Sequence, residues 1–443
     1  MQLLISVSAL LLSVMLLQMG IGALRPFDSI SGIALGFTSV DIGLIASGHF
    51  AGFLCGCLLG PKLVYRAGHS RAFAILAAVG VISIIAHTIK ADPYFWTFVR
   101  TFGGFAVAGC YTVIESWLQA TATNQIRARV FSIYRIANFA GQIFANSLIG
   151  VLTPASYISY NVLAMIMCLA LIPLTVTLSK EPSLPTTQKF WPFLAYRISP
   201  LAPLGVVIAG ISTSAFGLIA PLYAANLGMS NLEISYFLTV AVIGGVIVHL
   251  PAGFLADRFG RRSVLMSFSI LSTVVCLVIG SDLVDLAARG HGVSLFLALL
   301  FGISTFPIYS LSAAHANDFA GSDDVLDLSA SLIFFYALGA IISPIIAGYI
   351  IGRFGMSYLF IYISLAHILL MTFTVGSPLH GRYPVMTSHM PITQEQACLS
   401  QILFADVTLR INATNHSAIF IASDATSTKQ FRDEILLIAT PIE

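Results

Sequence analysis

The chain has 443 residues, of which 57% are hydrophobic and only 9% charged, a balance foreign to a water-soluble globular domain of this length. A net charge of +2 without a basic stripe argues against nucleic-acid binding. Five of the six cysteines, Cys55, Cys57, Cys110, Cys168 and Cys276, fall in apolar segments as small packing residues with no metal-ligand spacing, so neither a metal nor a cofactor is expected. What remains is an integral membrane protein.

Met1 to Ile21 lacks a basic start and stays apolar beyond the length of a signal peptide, so it reads as the first spanning helix. Apolar runs of spanning length lie at about 3–24, 42–64, 73–90, 94–119, 130–152, 156–178, 202–225, 234–252, 263–281, 293–315, 328–351 and 356–376, twelve in all. Lysine and arginine favour alternate connections. One side holds Lys62, Arg66, Arg71, Arg127, Arg129, Lys180, Lys189, Arg197, Arg258, Arg261 and Arg262; the other holds only Arg25, Lys90, Arg289 and Arg353. That bias places both termini in the cytoplasm of a multi-pass inner-membrane protein.

Residues 179–200, SKEPSLPTTQKFWPFLAYRISP, form a proline-rich, basic linker between an N-terminal six-helix bundle, 1–178, and a C-terminal one, 201–376. Its FWPFLAYRI portion reads either as an amphipathic segment on the membrane surface or as an extended linker. Residues 377–443 carry no apolar span and read as a cytoplasmic tail, either a small appendage or disordered; the sequons at Asn412 and Asn415 would face the cytoplasm and count as accidental. The halves look like repeats, with Gly68 matching Gly260, Tyr111 matching Tyr309 and Gly141 matching Gly339 at shifts just under two hundred.

After the eighth run comes GFLADRFGRR, Gly253 to Arg262. Gly253 would let two helices approach closely, Asp257 would cap a short helix or pair with an arginine, and Arg258, Arg261 and Arg262 would hold this end in the cytoplasm. Counting back from Gly68 puts Pro61, Tyr65 and Arg66 where Gly253, Asp257 and Arg258 stand, so the first half lacks the acid. A conformational latch built from Gly253, Asp257, Arg258, Gly260, Arg261 and Arg262 would therefore depend on Asp257.

Ionisable groups inside membrane helices are functional candidates by default, because lipid makes them costly. Arg100, Glu115 and Arg135 are of this kind, and Glu115 and Arg135 should lie at similar depth, as a structural ion pair, a proton or substrate switch, or two separate hydrated groups. Arg25, closing the first run, is an outer anchor or a cavity contact. Three arginines against one carboxylate in the first half point to an anionic solute such as an organic acid. Tyr111, Tyr309 and His315 complete the candidates for substrate or proton coupling; Asp318 reads as solvated, and His49, His249 and His367 as satisfied core residues, one of which could instead couple protons. Gly48, Gly52, Gly56 and Gly60 share one helix face and suit packing at a moving interface between the halves.

GFLADRFGRR resembles the loop signature of the major facilitator superfamily, and Arg100, Gly104 and Gly109 in RTFGGFAVAG resemble that family's helix-4 motif. The likeness covers about residues 1–376. VIES and GHFAGFLCG…RAG resemble the YcaD-type bacterial branch. The resemblance implies an all-α membrane protein with twelve transmembrane helices in two pseudo-symmetric bundles, and a cavity lined by helices 1, 4, 7 and 10. It implies a monomeric secondary active transporter that moves a small molecule by alternating access. With no P-loop in the chain, an ion gradient, most simply protons, would drive it. Alternatives are a multidrug-type efflux transporter and a transport-inactive sensor or scaffold. No nucleophile, base and orienting group come together, so no enzyme is expected.

Overall fold

The computed structural model describes residues 2–121, 127–175, 191–281, 290–321 and 324–376. The proposed tail, with Asn412 and Asn415, and most of the linker lie outside the described residues. The first half comprises α1 (Gln2–Ala34), α2 (Ser39–Ala67), α3 (His69–Ala86), α4 (Pro93–Thr121), α5 (Arg127–Ile149), and α6 with its continuation α7 (Tyr157–Leu169, Leu171–Thr175). A short α8 (Leu194–Ile198) precedes the second half. That half comprises α9 (Leu201–Asn226), α10 (Asn231–Phe259), α11 (Arg261–Gly280), α12 with its continuation α13 (His291–Thr305, Pro307–Asn317), α14 (Val325–Phe354) and α15 (Tyr358–Gly376).

Among the described residues, eleven helices are long and apolar enough to cross a membrane. The twelfth expected from sequence, α5, is a 23-residue helix that is too polar to join them. Its Arg135, Asn138, Gln142 and Asn146 recur at helical spacing and are buried, while Ile133, Ile136 and Phe144 are exposed. Such a helix is amphipathic toward the bundle interior, as lipid exposure of those polar groups would be costly.

The internal repeat is visible in backbone geometry. Gly68 and Gly260 turn the chain between α2 and α3 and between α10 and α11 at φ +81° and +85°, a region that favours glycine. Capping boxes start the equivalent helices, Thr38 with Asp41 on α2 and Ser230 with Glu233 on α10. Gly141 packs on the Met15 carbonyl of α1, and Gly339 on the Val207 carbonyl of α9.

The glycine stripe on α2 has a different role from the expected one. A Cβ on Gly48, Gly52 or Gly56 would meet the carbonyl oxygens of Thr97, Thr101 or Phe105, all on α4 of the same half. The stripe therefore welds two helices of one bundle. Close approaches between the halves use other glycines: a Cβ on Gly43 would stand 2.2 Å from the Pro344 carbonyl of α14, and one on Gly348 would stand 2.3 Å from the Ser39 carbonyl of α2. Both lie at the end of the bundle where α2 and α10 begin.

The linker's aromatic stretch is partly helical. Ser331 of α14 accepts the Ala195 amide at 2.9 Å and donates to the Pro192 carbonyl at 2.6 Å, while Trp191, Phe193 and Tyr196 are exposed and Arg197 stacks over Trp191. This docked, aromatic-faced turn replaces a merely extended linker.

Candidate functional site

The first run was expected to end near Leu24, because Arg25 and Pro26 interrupt the apolar pattern. Instead α1 continues through Pro26 to Ala34. Proline removes one donor and shapes a helix without always ending it. The extension carries both Arg25 and Asp28 inside the protein, so the described residues of the first half include two buried carboxylates, Asp28 and Glu115, and not one.

Asp28 is the hub of a buried cluster toward the end where α2 begins. One of its oxygens lies 3.1 Å from Nε of Arg100 on α4 and 3.6 Å from Nε2 of His87. The other accepts the Tyr160 hydroxyl of α6 at 3.1 Å. His87 stacks on Tyr160 with centroids 5.3 Å apart, its Nδ1 is 2.7 Å from the Ser83 carbonyl, and Trp96 packs edge-on against both rings. Arg100, Asp28 and His87 are all buried. A carboxylate surrounded by a cation, an imidazole and a phenol can hold or release one proton while its oxygens keep partners in either state.

Arg25 stands in a cavity between the halves. The first half supplies Arg25 with Gln142 and Asn146 of α5; the second half supplies Thr213, Phe216 and Gly217 of α9, with Leu238, Val242 and Phe306 behind them. The outer-anchor alternative for Arg25 is thus replaced by a cavity position. Beneath it Tyr111 donates to Gln18, which donates to Gln142, which in turn donates to Asn146 at 2.9 Å. Tyr336 lies 3.0 Å from Thr213 and packs edge-on against Tyr309, with centroids 5.8 Å apart.

Other candidates lie elsewhere. Glu115 accepts the Tyr134 hydroxyl at 2.6 Å, from α5, the helix that also carries Arg135. His315 lies in the last turn of α13, edge-on to Phe319, with the charges of Arg261 and Arg262 nearby. It belongs to the far end of the second half. His367 bonds Ser212 at 3.1 Å and His249 bonds the Gly245 carbonyl, each through one ring nitrogen.

At that far end α10 runs on to Phe259, so Asp257 sits in its last turns and caps nothing. Gly253 has open space where a Cβ would be, so it mediates no close approach here. Arg261 is 3.1 Å from Asp318 but 4.0 Å from Asp257, Arg262 donates to the Thr374 carbonyl of α15, and Arg258 stacks on Phe259. Burial lifts the Asp318 carboxyl above its ordinary range, and Arg261 draws it back. Asp318, read from sequence as solvated, is thus the closer partner. We expect Asp318→Asn to slow turnover more than Asp257→Asn, each costing about 1 kcal/mol or less at these partly exposed positions. Side-by-side initial rates of transport check this, and a slower Asp257→Asn variant would reverse the assignment.

Residues 14–183 match the family described as Sugar (and other) transporter, and residues 204–407 match the one described as Major Facilitator Superfamily. The second match runs past Gly376, the end of the stretch over which the motifs resemble that family. An uncharacterized MFS-type transporter of Yersinia pestis (strain Pestoides F) is 23% identical over 348 residues, 78% of this chain and 88% of the relative. The uncharacterized MFS-type transporter YcaD of Escherichia fergusonii is 25% identical over 350 residues, again 78% and 88%. Among solved structures, the nucleoside transporter NupG superimposes with a TM-score of 0.67 at 14% identity, covering 84% of this chain and 98% of that one. A D-xylose-proton symporter superimposes with a TM-score of 0.66 at 13% identity, covering 85% and 98%. Two bundles of matching backbone geometry, each with its own family match, point the same way: the second half matches the major facilitator superfamily, and most of the chain is similar to MFS-type transporters.

Proposed function

We propose that this protein is a secondary active transporter that moves a small organic anion through the cavity between its halves in company with protons. The carrying observation is Arg25, a cation on a membrane helix that lines the cavity and has no acidic partner among the described residues. An unneutralised cation in the bilayer interior is costly, and a transported anion offsets that cost whenever it is bound. Asp28 supports the coupling. It balances Arg100 while ionised and releases it on protonation, which links proton occupancy to the packing of α1 on α4.

The lysine and arginine bias assigns the Gly260 end to the cytoplasm and the Gly43–Pro344 seam to the outer face. In this reading the seam opens when the cavity faces outward, and the charges around Arg261 brace the inner end of the second half. The protein is reconstituted in liposomes and uptake of labelled organic acids is followed with and without an inward proton gradient. Accumulation above equilibrium with the gradient, lost in Arg25→Gln, is the expected result. Equal uptake with and without the gradient for every acid taken up would sink the coupled reading.

A further inference from the structure

Resting on that reading, we infer that the transported anion is a small monocarboxylate with a flat apolar body, its carboxylate held by Arg25 and Asn146 and its body in a slot formed by Phe216, Gly217 and Phe306. Charge count, donor chemistry and shape carry this inference together.

Arg25 is the arginine that lines the cavity, and Arg100, which acts on it from α4, is already neutralised by Asp28 at 3.1 Å. Arg25 forms no ion pair among the described residues, and the ionisable groups that act on it are Tyr336, Arg100 and Tyr111, none a carboxylic acid. One uncompensated positive charge matches a monoanion. A dicarboxylate or a phosphate dianion would leave one negative charge in a low-dielectric site without a partner.

The polar wall presents donors. Asn146 is buried, its Oδ1 is taken by Gln142 at 2.9 Å, and its Nδ2 has no partner although the residue lines the cavity. A guanidinium and an amide N–H on one wall suit a group that only accepts, which an ionised carboxylate does with both oxygens. A sugar or nucleoside would bring hydroxyl donors to a wall that already has donors to spare.

Apart from Thr213, whose hydroxyl is taken by the Ala209 carbonyl at 2.7 Å, the facing wall is apolar and flat. Phe216 stacks on Phe301 with centroids 4.3 Å apart and an interplanar angle of 19°, and Phe306 meets Phe216 edge-on. Beside Phe216 the chain has Gly217, where a Cβ would meet nothing within 4 Å. A missing side chain next to a fixed aromatic ring leaves a gap that a planar group fills with ring contacts. The carboxylate therefore binds the first half and the body binds the second, which makes occupancy itself a bridge between the two moving bundles.

The test is equilibrium binding to the purified full-length protein in lipid nanodiscs by isothermal titration, using benzoate, benzyl alcohol, phthalate and succinate. Benzoate should bind, and benzyl alcohol, phthalate and succinate should each be weaker by roughly tenfold or more, through loss of the charged hydrogen bonds or through an unpaired second charge. Arg25→Gln should remove benzoate binding, Arg25→Lys should keep part of it, and Gly217→Leu should block it with every charge in place. Absence of benzoate binding, or binding of benzyl alcohol or succinate as tight as that of benzoate, would overturn the inference; so would unchanged affinity in Gly217→Leu, even if Arg25→Gln failed to fold. Gradient-driven uptake of another solute without benzoate binding would remove this inference and leave the transporter reading standing. Benzoate binding without gradient-driven uptake would keep the cavity's ligand class and remove the coupled-transport reading.

Discussion

Asp28→Asn is expected to abolish gradient-driven uptake while leaving exchange of labelled for unlabelled substrate across the membrane intact. Exchange needs the cavity to alternate with substrate bound, whereas net accumulation needs a group that binds and releases a proton in each cycle. Asparagine keeps the size of Asp28 and can still accept from Tyr160, but it cannot balance Arg100, which stands 3.1 Å from the carboxylate in a buried site. Removing one partner of a buried ion pair typically costs about 3–5 kcal/mol, because the remaining charge stays desolvated. Thermal unfolding in detergent should therefore show a clear loss of stability for Asp28→Asn.

The double variant Asp28→Asn with Arg100→Gln should recover much of that stability, since both charges are then gone, and should still fail to accumulate substrate. Separating the two readouts is the point of the pair. If gradient-driven uptake persists in Asp28→Asn, the proton is carried elsewhere, with Glu115 the next carboxylate to examine.

The second large effect concerns two glycines that meet similar obstacles with opposite consequences. A Cβ at Gly52 would lie 1.8 Å from the Thr101 carbonyl inside one bundle, and a Cβ at Gly348 would lie 2.3 Å from the Ser39 carbonyl across the two bundles. Gly52→Leu must force α2 from α4, helices joined along the whole Gly48–Gly56 stripe. Overpacking of this kind costs about 3 kcal/mol or more, and the folded yield should collapse. Gly348→Leu only has to separate the halves at a seam which, in the proposed cycle, parts in every turnover.

Gly348→Leu should therefore fold and shift the population toward the outward-open state. A cysteine introduced by Gly217→Cys, at the cavity wall, reports this. Its labelling by a membrane-impermeant maleimide from outside should rise on the order of tenfold when Gly348→Leu is added, the factor for a shift of about 1.4 kcal/mol. Unchanged labelling, or a loss of folded protein equal to that of Gly52→Leu, would mean that the seam is a fixed part of the fold.

Much of the architecture was legible in the sequence because lipid imposes a simple rule on it. Backbone groups must be satisfied within each span, so long apolar runs become helices and polar breaks become connections. The runs named in advance correspond to the observed helices, and the match of Gly68 with Gly260 was readable because one backbone conformation at a tight turn favours one residue type. Charge at helix ends was readable too, in the arginines after Gly253, although their partners were not.

What misled the reading was local composition standing in for three-dimensional neighbours. Arg25–Pro26 looked like a helix end, yet α1 continues because packing on α5, α6 and α9 holds it past the proline. Asp28 thereby moved from a presumed loop into the protein. The polar face of α5 was hidden in a run that averaged as apolar enough, since a mean over a window does not say which side of a helix faces lipid. The glycines of α2 announced close packing without naming the partner, which proved to be α4. Asp318, fifty-seven residues from Arg261 along the chain, became that arginine's nearest acid only once α11 and α13 were side by side.

The sequence by itself determined a many-helix membrane protein in two related halves, because hydropathy, turn geometry and repeated glycines are properties of short segments. Only the tertiary structure decided which charges cancel and which are left over. Arg100 and Asp28 lie seventy-two residues apart in sequence, and their neutralisation, which leaves Arg25 as the cavity's one uncompensated cation among the described residues, exists only where α1 and α4 cross. Electrostatic balance in a membrane is settled over a few ångströms of space, and separation along the chain carries almost no information about it.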